Sequence, residues 1–401
     1  MRQKIFRLQG QVQHYAWGGY EFIPALLGFD NTQNIPCAEY WMGAHPSASG
    51  KLETEEGLQS WYELIKQEPT EHLGEAVYDR FGSLPYLFKV LDVREMLSIQ
   101  VHPTKEEAVK GFAQEEAAGV PIDAKNRNYK DDNHKPEVMI ALGEFWLLHG
   151  FKQKHELVKV LESVPEFNQF VNLFNEQGYF GLYKQVMEMP QAEADSLLLP
   201  LVEREISNCI SKEQPGYWIN KLYNGQVPAK DLDRGIFSIY FFNIVKLEAG
   251  QGIFQGAGVP HAYLEGQNIE LMANSDNVLR GGLTPKHIDV PELLKHIVFE
   301  GITPEVLAGA EVEIGETEYP LPVEDFGIST LQLQTGREYI HKSESAEIFI
   351  VMQGEVHCPH LVCKKGEAFV VLADTDYTLR GVEDAILYKA FVPINKISKT
   401  S

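Results

Sequence analysis

Cysteine is scarce in this chain: Cys37, Cys209, Cys358 and Cys363 are the only four in 401 residues. Their irregular spacing matches no disulfide framework, which points to a reducing compartment. Around His357-Cys358-Pro359-His360 and Cys363 it also matches no usual structural zinc pattern, so reduced cysteines in a strand pair are expected there. Long apolar runs are missing as well. No stretch approaches the roughly 18 apolar residues of a membrane span, and the N-terminal MRQKIFRLQGQVQHYAWGG holds no apolar run of signal length. A soluble, cytoplasmic protein is expected. Positive charge is in the minority, with 35 Lys and Arg against 57 Asp and Glu and a formal net charge of −22. Nucleic acid and anionic membrane surfaces are thereby disfavoured as partners. An anionic small substrate would need a local basic pocket, so clustered Lys and Arg carry extra weight.

What is present suits a globular protein of two or three domains, 44% apolar and 23% charged. Residues 4–50 alternate short apolar runs with turn signals and read as strands and loops, with Trp17, Glu39 and His45 beside glycines. A helical pattern covers about 54–81, with Leu58, Trp61, Leu64 and Ile65 on one stripe. Strand character returns over 84–101, and Thr104 with Glu107 forms a capping box for a helix over 104–118. Residues 152–214 read as a helical insertion, including an amphipathic stretch over 192–210. From Ile236 strands are expected to resume, through Phe237 to Val245, with a helix near 290–297. Short strands with turns every 8–12 residues over 310–393 suggest a small β-sandwich or barrel.

Three separated segments offer metal ligands. Ser98-Ile99-Gln100-Val101-His102 alternates at period two, placing Ser98, Gln100 and His102 on one strand face, where Gln100 and His102 can converge on one ion. In His134-Lys135-Pro136-Glu137, the proline extends its predecessor, so Lys135 and Glu137 project together at the mouth of a strand. Beyond Gly250, Gly252, Gly256 and Gly258, whose turns let backbone approach a site, His261 and Tyr263 share a face. Two imidazoles, one carboxylate and one amide oxygen suit Zn²⁺ with an open position. Lys135, Arg280 and Lys286 add positive charge and Glu270 a second carboxylate, which suits a sugar phosphate.

The chain resembles the type I mannose-6-phosphate isomerases (phosphomannose isomerases) of the cupin superfamily. The matching segments are Tyr15–Gly18, Ala38–Ser47, Leu84–Leu91 with Leu97–Pro103, Asp132–Glu137, Pro260–Leu264 and Ser275–Lys286. Leu148-His149-Gly150-Phe151-Lys152 departs from the family, which usually has cysteine before the glycine and arginine after the phenylalanine. The resemblance implies a mainly β fold with a helical insertion: a cupin jelly-roll catalytic domain (1–151 and 236–305), an α-helical domain (152–235) and a C-terminal jelly-roll domain (306–401). It implies one Zn²⁺ per subunit on Gln100, His102, Glu137 and His261. The pocket it implies is lined by Trp17, Glu39, Ser98, Lys135, Tyr263, Glu270, Asp276, Arg280 and Lys286.

The implied reaction interconverts mannose 6-phosphate and fructose 6-phosphate through a cis-enediol(ate), feeding or draining mannose 6-phosphate between GDP-mannose formation and glycolysis, in a monomer. A base takes the C2 proton of the open-chain aldose, and a proton returns at C1. Arg280 would stabilise the enediolate or guide ring opening. Glu270 or Lys135 is preferred as the base over a metal-bound hydroxide. Lys286 would steer the phosphate and Ser98 donate a hydrogen bond. The rival readings are a cupin oxygenase using Fe²⁺ and a sugar-binding module without turnover.

Overall fold

The computed structural model describes residues 3–208 and 211–397. Cys209 and Ile210, the latter at the end of the expected 192–210 stretch, lie outside these residues. Sheets dominate. The larger assembly that carries the candidate ligands runs, in hydrogen-bonded order, Phe242–Leu247, Phe145–Phe151, His261–Ala273, Tyr86–Val93, Glu39–Met42 and Gln11–Gln13. Two pairs branch from it: Gly252–Gln255 on Glu137–Ala141, and Leu279–Arg280 on Gln100–Val101. The long strand His261–Ala273 is its spine. It lies antiparallel to four others, and the chain segments holding His102, Glu137 and His261 all meet it at or beside its edges.

A second sheet of nine strands includes Gly327–Leu333, Ala385–Phe391, Glu347–Gln353 and Ala368–Val371, and the N-terminal strand Ile5–Gln9 pairs with the last of these. A four-stranded sheet, Glu338–Ser343, Thr375–Gly381, Glu355–Cys358 and Leu361–Lys364, faces its C-terminal part across an apolar core of Leu331, Phe349, Val356, Phe369, Leu379 and Leu387. Cys358 and Cys363 are free thiols buried in that core on paired strands, as the sequence suggests.

Helices Lys154–Ser163, Val171–Glu188, Gln191–Asn208 and Pro215–Leu222 share a second core with Ile99, Val101 and Leu279. They therefore pack directly behind the short strands that carry Gln100 and Arg280. The capping box at Thr104 is formed, and its helix runs Lys105–Ala117.

Several expectations change. Residues 236–241 are helix, not strand: Gly235–Phe241 is helical, and the strand begins only at Phe242. Every side chain of that helix is buried, so it has no polar stripe to betray a 3.6-residue period, and its aromatic-rich run imitates a buried strand. The 54–81 stretch opens with a strand, Gly57–Ser60. It then breaks into Trp61–Gln67, Pro69–Leu73 and Glu75–Phe81. Pro69 starts one of these helices, and Gly74, at φ +86°, separates the last two. Within 4–50 a short helix, Phe22–Leu27, interrupts the strands. The 84–101 region holds Tyr86–Val93 and a two-residue strand, Gln100–Val101, with irregular backbone between them. His102 lies just past the strand end, yet the two-faced alternation holds: Ile99 and Val101 enter the core shared with the helices, while Gln100 and His102 turn to the side of Glu137 and His261.

Candidate metal centre and pocket

Backbone pairing assembles the site. Gln100 lies opposite both His261 and Arg280, and Glu137 lies opposite Met272. Gly258 makes the turn into His261 possible: its φ is +77°, its N–H donates to the carbonyl of His102, and a Cβ there would meet the His296 carbonyl at 2.8 Å.

His102, Glu137 and His261, all buried, each present one ligating atom within 4.8 Å of the others. Their tautomers follow from their partners. The Nδ1 of His102 lies 2.8 Å from the carbonyl of Asn277, and that of His261 lies 2.9 Å from the carbonyl of Val259. A carbonyl only accepts, so each Nδ1 carries a proton, and Nε2 is the nitrogen of each ring that can offer a lone pair. Both lone pairs face one carboxylate: His102 Nε2 is 3.5 Å from Glu137 Oε1, and His261 Nε2 is 3.4 Å from Oε2. His102 Nε2 is buried with no hydrogen-bond donor on it. Burial also pushes the His102 pKa down to about 4, which keeps the ring neutral at pH 7. Burial works against charge on Glu137, but the Lys135 ammonium, with Nζ 2.9 Å away, holds its pKa well below the usual carboxylate value. Two imidazoles with Nε2 available and an ionised carboxylate around one point fit a divalent cation of zinc's type.

Beside this trio is a cavity of about 60 Å³ lined by Glu39, Lys89, Leu97, Gln100, Lys135, Glu137, His261, Tyr263 and Glu270, among others. Seven residues expected from the sequence therefore meet on one wall. Trp17 is half-buried against the apolar cluster that includes Leu91 and Tyr263, with Tyr15 stacked on it at 5.9 Å. Four others stand outside that lining. Ser98 is half-buried one residue before Ile99, and Asp276 is exposed 3.8 Å from His45 Nε2. Arg280 is half-buried beside Gln100, with Nε unpartnered. Lys286 is exposed, and burial and the Arg280 charge both lower its pKa.

Sequence reasoning missed Lys89. It is buried in a strand whose eight residues are all buried, with Nζ 2.9 Å from Glu270 and 3.3 Å from Glu39. Burial disfavours its charge, yet the two carboxylates outweigh burial and raise its pKa above the ordinary lysine value. The signal was there: a lone lysine amid Tyr86-Leu87-Phe88-Lys89-Val90-Leu91 has to find a buried partner. Burial raises the pKa of Glu270. His149, opposite His261 on the neighbouring strand, was also missed as a site neighbour. Burial pushes its pKa down to about 4.

A family model for the catalytic domain of type I phosphomannose isomerase matches residues 5–154. The mannose-6-phosphate isomerase of Escherichia coli (strain K12) is 38% identical over 387 residues, covering 94% of this chain and 97% of that protein. Mannose-6-phosphate isomerase 1 of Arabidopsis thaliana is 32% identical, covering 97% and 94%. A crystal structure of a phosphomannose isomerase point mutant from Salmonella typhimurium superposes with a TM-score of 0.88 at 36% identity, over 97% of this chain and all of that one. A zinc-bound holo structure of mannose 6-phosphate isomerase gives 0.87 at the same identity and coverage. The chain belongs to the type I phosphomannose isomerases, the enzymes named mannose-6-phosphate isomerase.

Proposed function

We propose that this chain interconverts mannose 6-phosphate and fructose 6-phosphate through a cis-enediol(ate), with one Zn²⁺ per subunit on His102, Glu137, His261 and Gln100. The observation that carries this reading is the pair of imidazoles with both Nδ1 protons committed to backbone carbonyls and both Nε2 atoms turned to one carboxylate. Bound there, zinc supplies Lewis acidity toward the carbonyl and hydroxyl oxygens of the open-chain sugar.

The protein's own groups do the rest. Glu270, its pKa raised by burial, is suited to accept the C2 proton and return it at C1. Lys89 holds Glu39 and Glu270 in place. Lys135, salt-bridged to Glu137, is the alternative proton carrier. Arg280, always charged, stabilises the anionic enediolate or guides ring opening. Lys286 steers the phosphate, Ser98 donates to it, and Trp17, Tyr263 and Asp276 shape the pocket.

The proposed division of the chain is a catalytic jelly roll over 1–151 and 236–305, a helical domain over 152–235 and a C-terminal jelly roll over 306–401. Among the described residues no helix is long and apolar enough to cross a membrane. The protein is proposed to work as a cytoplasmic monomer on a small sugar phosphate, without nucleic-acid partners, between GDP-mannose formation and glycolysis. A coupled assay of fructose 6-phosphate formation tests the activity. Turnover is expected to vanish with EDTA and return with zinc; mannose 6-phosphate left unchanged by the zinc-loaded protein would sink the proposal.

A further inference from the structure

The C-terminal sandwich holds a second cluster of buried polar groups, remote in sequence from the metal centre. Its inner face is apolar along most of its length, with Leu331, Phe349 and Leu387 on adjacent strands. At one end the same face turns polar. Ser329, Glu347 and Lys389 occupy inward positions two residues further along those strands, and each is at most 3% exposed. Glu316, 4% exposed, accepts from Ser329 Oγ at 2.6 Å and from Tyr339 OH at 2.8 Å, and pairs with Lys389 Nζ. Lys389 also donates to Tyr339 OH at 3.0 Å. Glu347 accepts from Tyr377 OH at 2.6 Å, and His341 Nε2 lies 3.4 Å from its other oxygen. Among the described residues, no lysine or arginine pairs with Glu347.

Stability does not account for this set. Burying an ion pair carries a desolvation penalty that offsets much of its Coulombic gain, and apolar side chains of similar volume often do equally well or better. The rest of the same face is built that way. These groups also front a cavity of about 380 Å³, lined by Glu316, His341, Glu347, Lys389 and Phe391 and opening beside Lys342 and Glu344. The catalytic sheet also buries a lysine among carboxylates, Lys89 beside Glu39 and Glu270, but among the described residues Lys389 pairs with Glu316 alone, which leaves Glu347 without a cation.

We propose that this cavity is a second ligand site and that it takes a small, neutral, polyhydroxylated molecule, an unphosphorylated sugar. Sugar hydroxyls would donate to Glu347 and accept from Lys389 at the cavity floor, with the His341 ring at its wall. Charge selects against anions: Glu313, Glu316, Glu318, Glu344 and Glu347 outnumber Lys342, Lys389 and Lys396 around it. No group of His, Cys, Asp or Glu side chains there lies close enough to hold a metal, among the described residues.

The test is saturation-transfer NMR of mannose with the zinc-loaded full-length enzyme, with and without saturating mannose 6-phosphate to occupy the catalytic pocket. The expected result is mannose contact that survives mannose 6-phosphate. It should weaken about tenfold in Glu347→Gln, the loss of roughly one charged hydrogen bond, while isomerase turnover is unchanged. His341→Ala, on the half-exposed rim, should weaken it too and serves if Glu347→Gln folds poorly. Three results overturn the proposal: no mannose contact, contact abolished by mannose 6-phosphate, or contact undiminished in both variants.

Discussion

The ring of His102 is oriented by Asn277, whose backbone carbonyl lies 2.8 Å from Nδ1. Asn277 is itself fully buried, and its side chain ties two loops together. Its Oδ1 accepts from the backbone N–H of Lys130 at 2.7 Å, and its Nδ2 donates to the carbonyls of Asp131 and Asn133 at 2.8 and 2.9 Å. Asp131 in turn accepts from Ser275 Oγ and from the Asp276 N–H, both at 2.8 Å. The loop leading to Lys135 and Glu137 is thus pinned to the loop that aims His102.

Asn277→Ala keeps the carbonyl but removes the pins. Groups that orient metal ligands in this way are worth about 10–100-fold in affinity. We expect zinc to bind that much more weakly in Asn277→Ala, read by competition with a chelator of known affinity, with far-ultraviolet circular dichroism unchanged. Equal zinc affinity would show that His102 needs no such support.

Lys89→Met leaves Glu39 and Glu270 buried without their cation. Removing one partner of a buried pair typically costs about 3–5 kcal/mol, and a loss of that order is expected in urea unfolding at pH 7. The loss should shrink in Lys89→Met combined with Glu270→Gln, which removes one stranded charge. Equal stabilities of the single variant and the parent would mean that Lys89 is not the counter-charge of this pocket.

Much of this was legible in the chain. The segments carrying His102, Glu137 and His261 stand out because each couples a metal-ligating side chain to a turn or strand end, a local pattern. Lys89 was obscured because its role depends on Glu39 and Glu270, which only sheet register brings beside it. The helix Gly235–Phe241 was misread because complete burial erases the polar stripe that periodicity needs. Pairing of Ile5–Gln9 with Ala368–Val371 joins the two ends of the chain, and no local feature of either segment encodes its partner.

Arg280 flanks the site without belonging to the ligand trio. Arg280→Ala should therefore keep one zinc per chain and lose most turnover, measured by metal analysis beside the coupled assay. Metal loss in that variant would make Arg280 structural.

Glu316 sets an acid dependence. Burial opposes its charge, but Lys389 outweighs burial, so its folded pKa lies below the ordinary value of 4.5. A depressed carboxylate pKa contributes stability that is present above the unfolded pKa and lost as pH falls through the folded one. Glu316→Gln should lower the melting temperature at pH 7, where it strands Lys389. The gap to the parent should narrow below pH 4.5, because the parent then loses the same contribution. A gap that widens in acid would contradict the ion pair.

The most direct measurement is the metal content, by mass spectrometry, of the parent and of His102→Ala, Glu137→Ala and His261→Ala, each purified and then dialysed against zinc. One zinc per chain in the parent and almost none in any of the three variants is the expected result. Full zinc occupancy in His261→Ala, or iron in place of zinc in the parent purified without added metal, would contradict a zinc centre built on these three side chains.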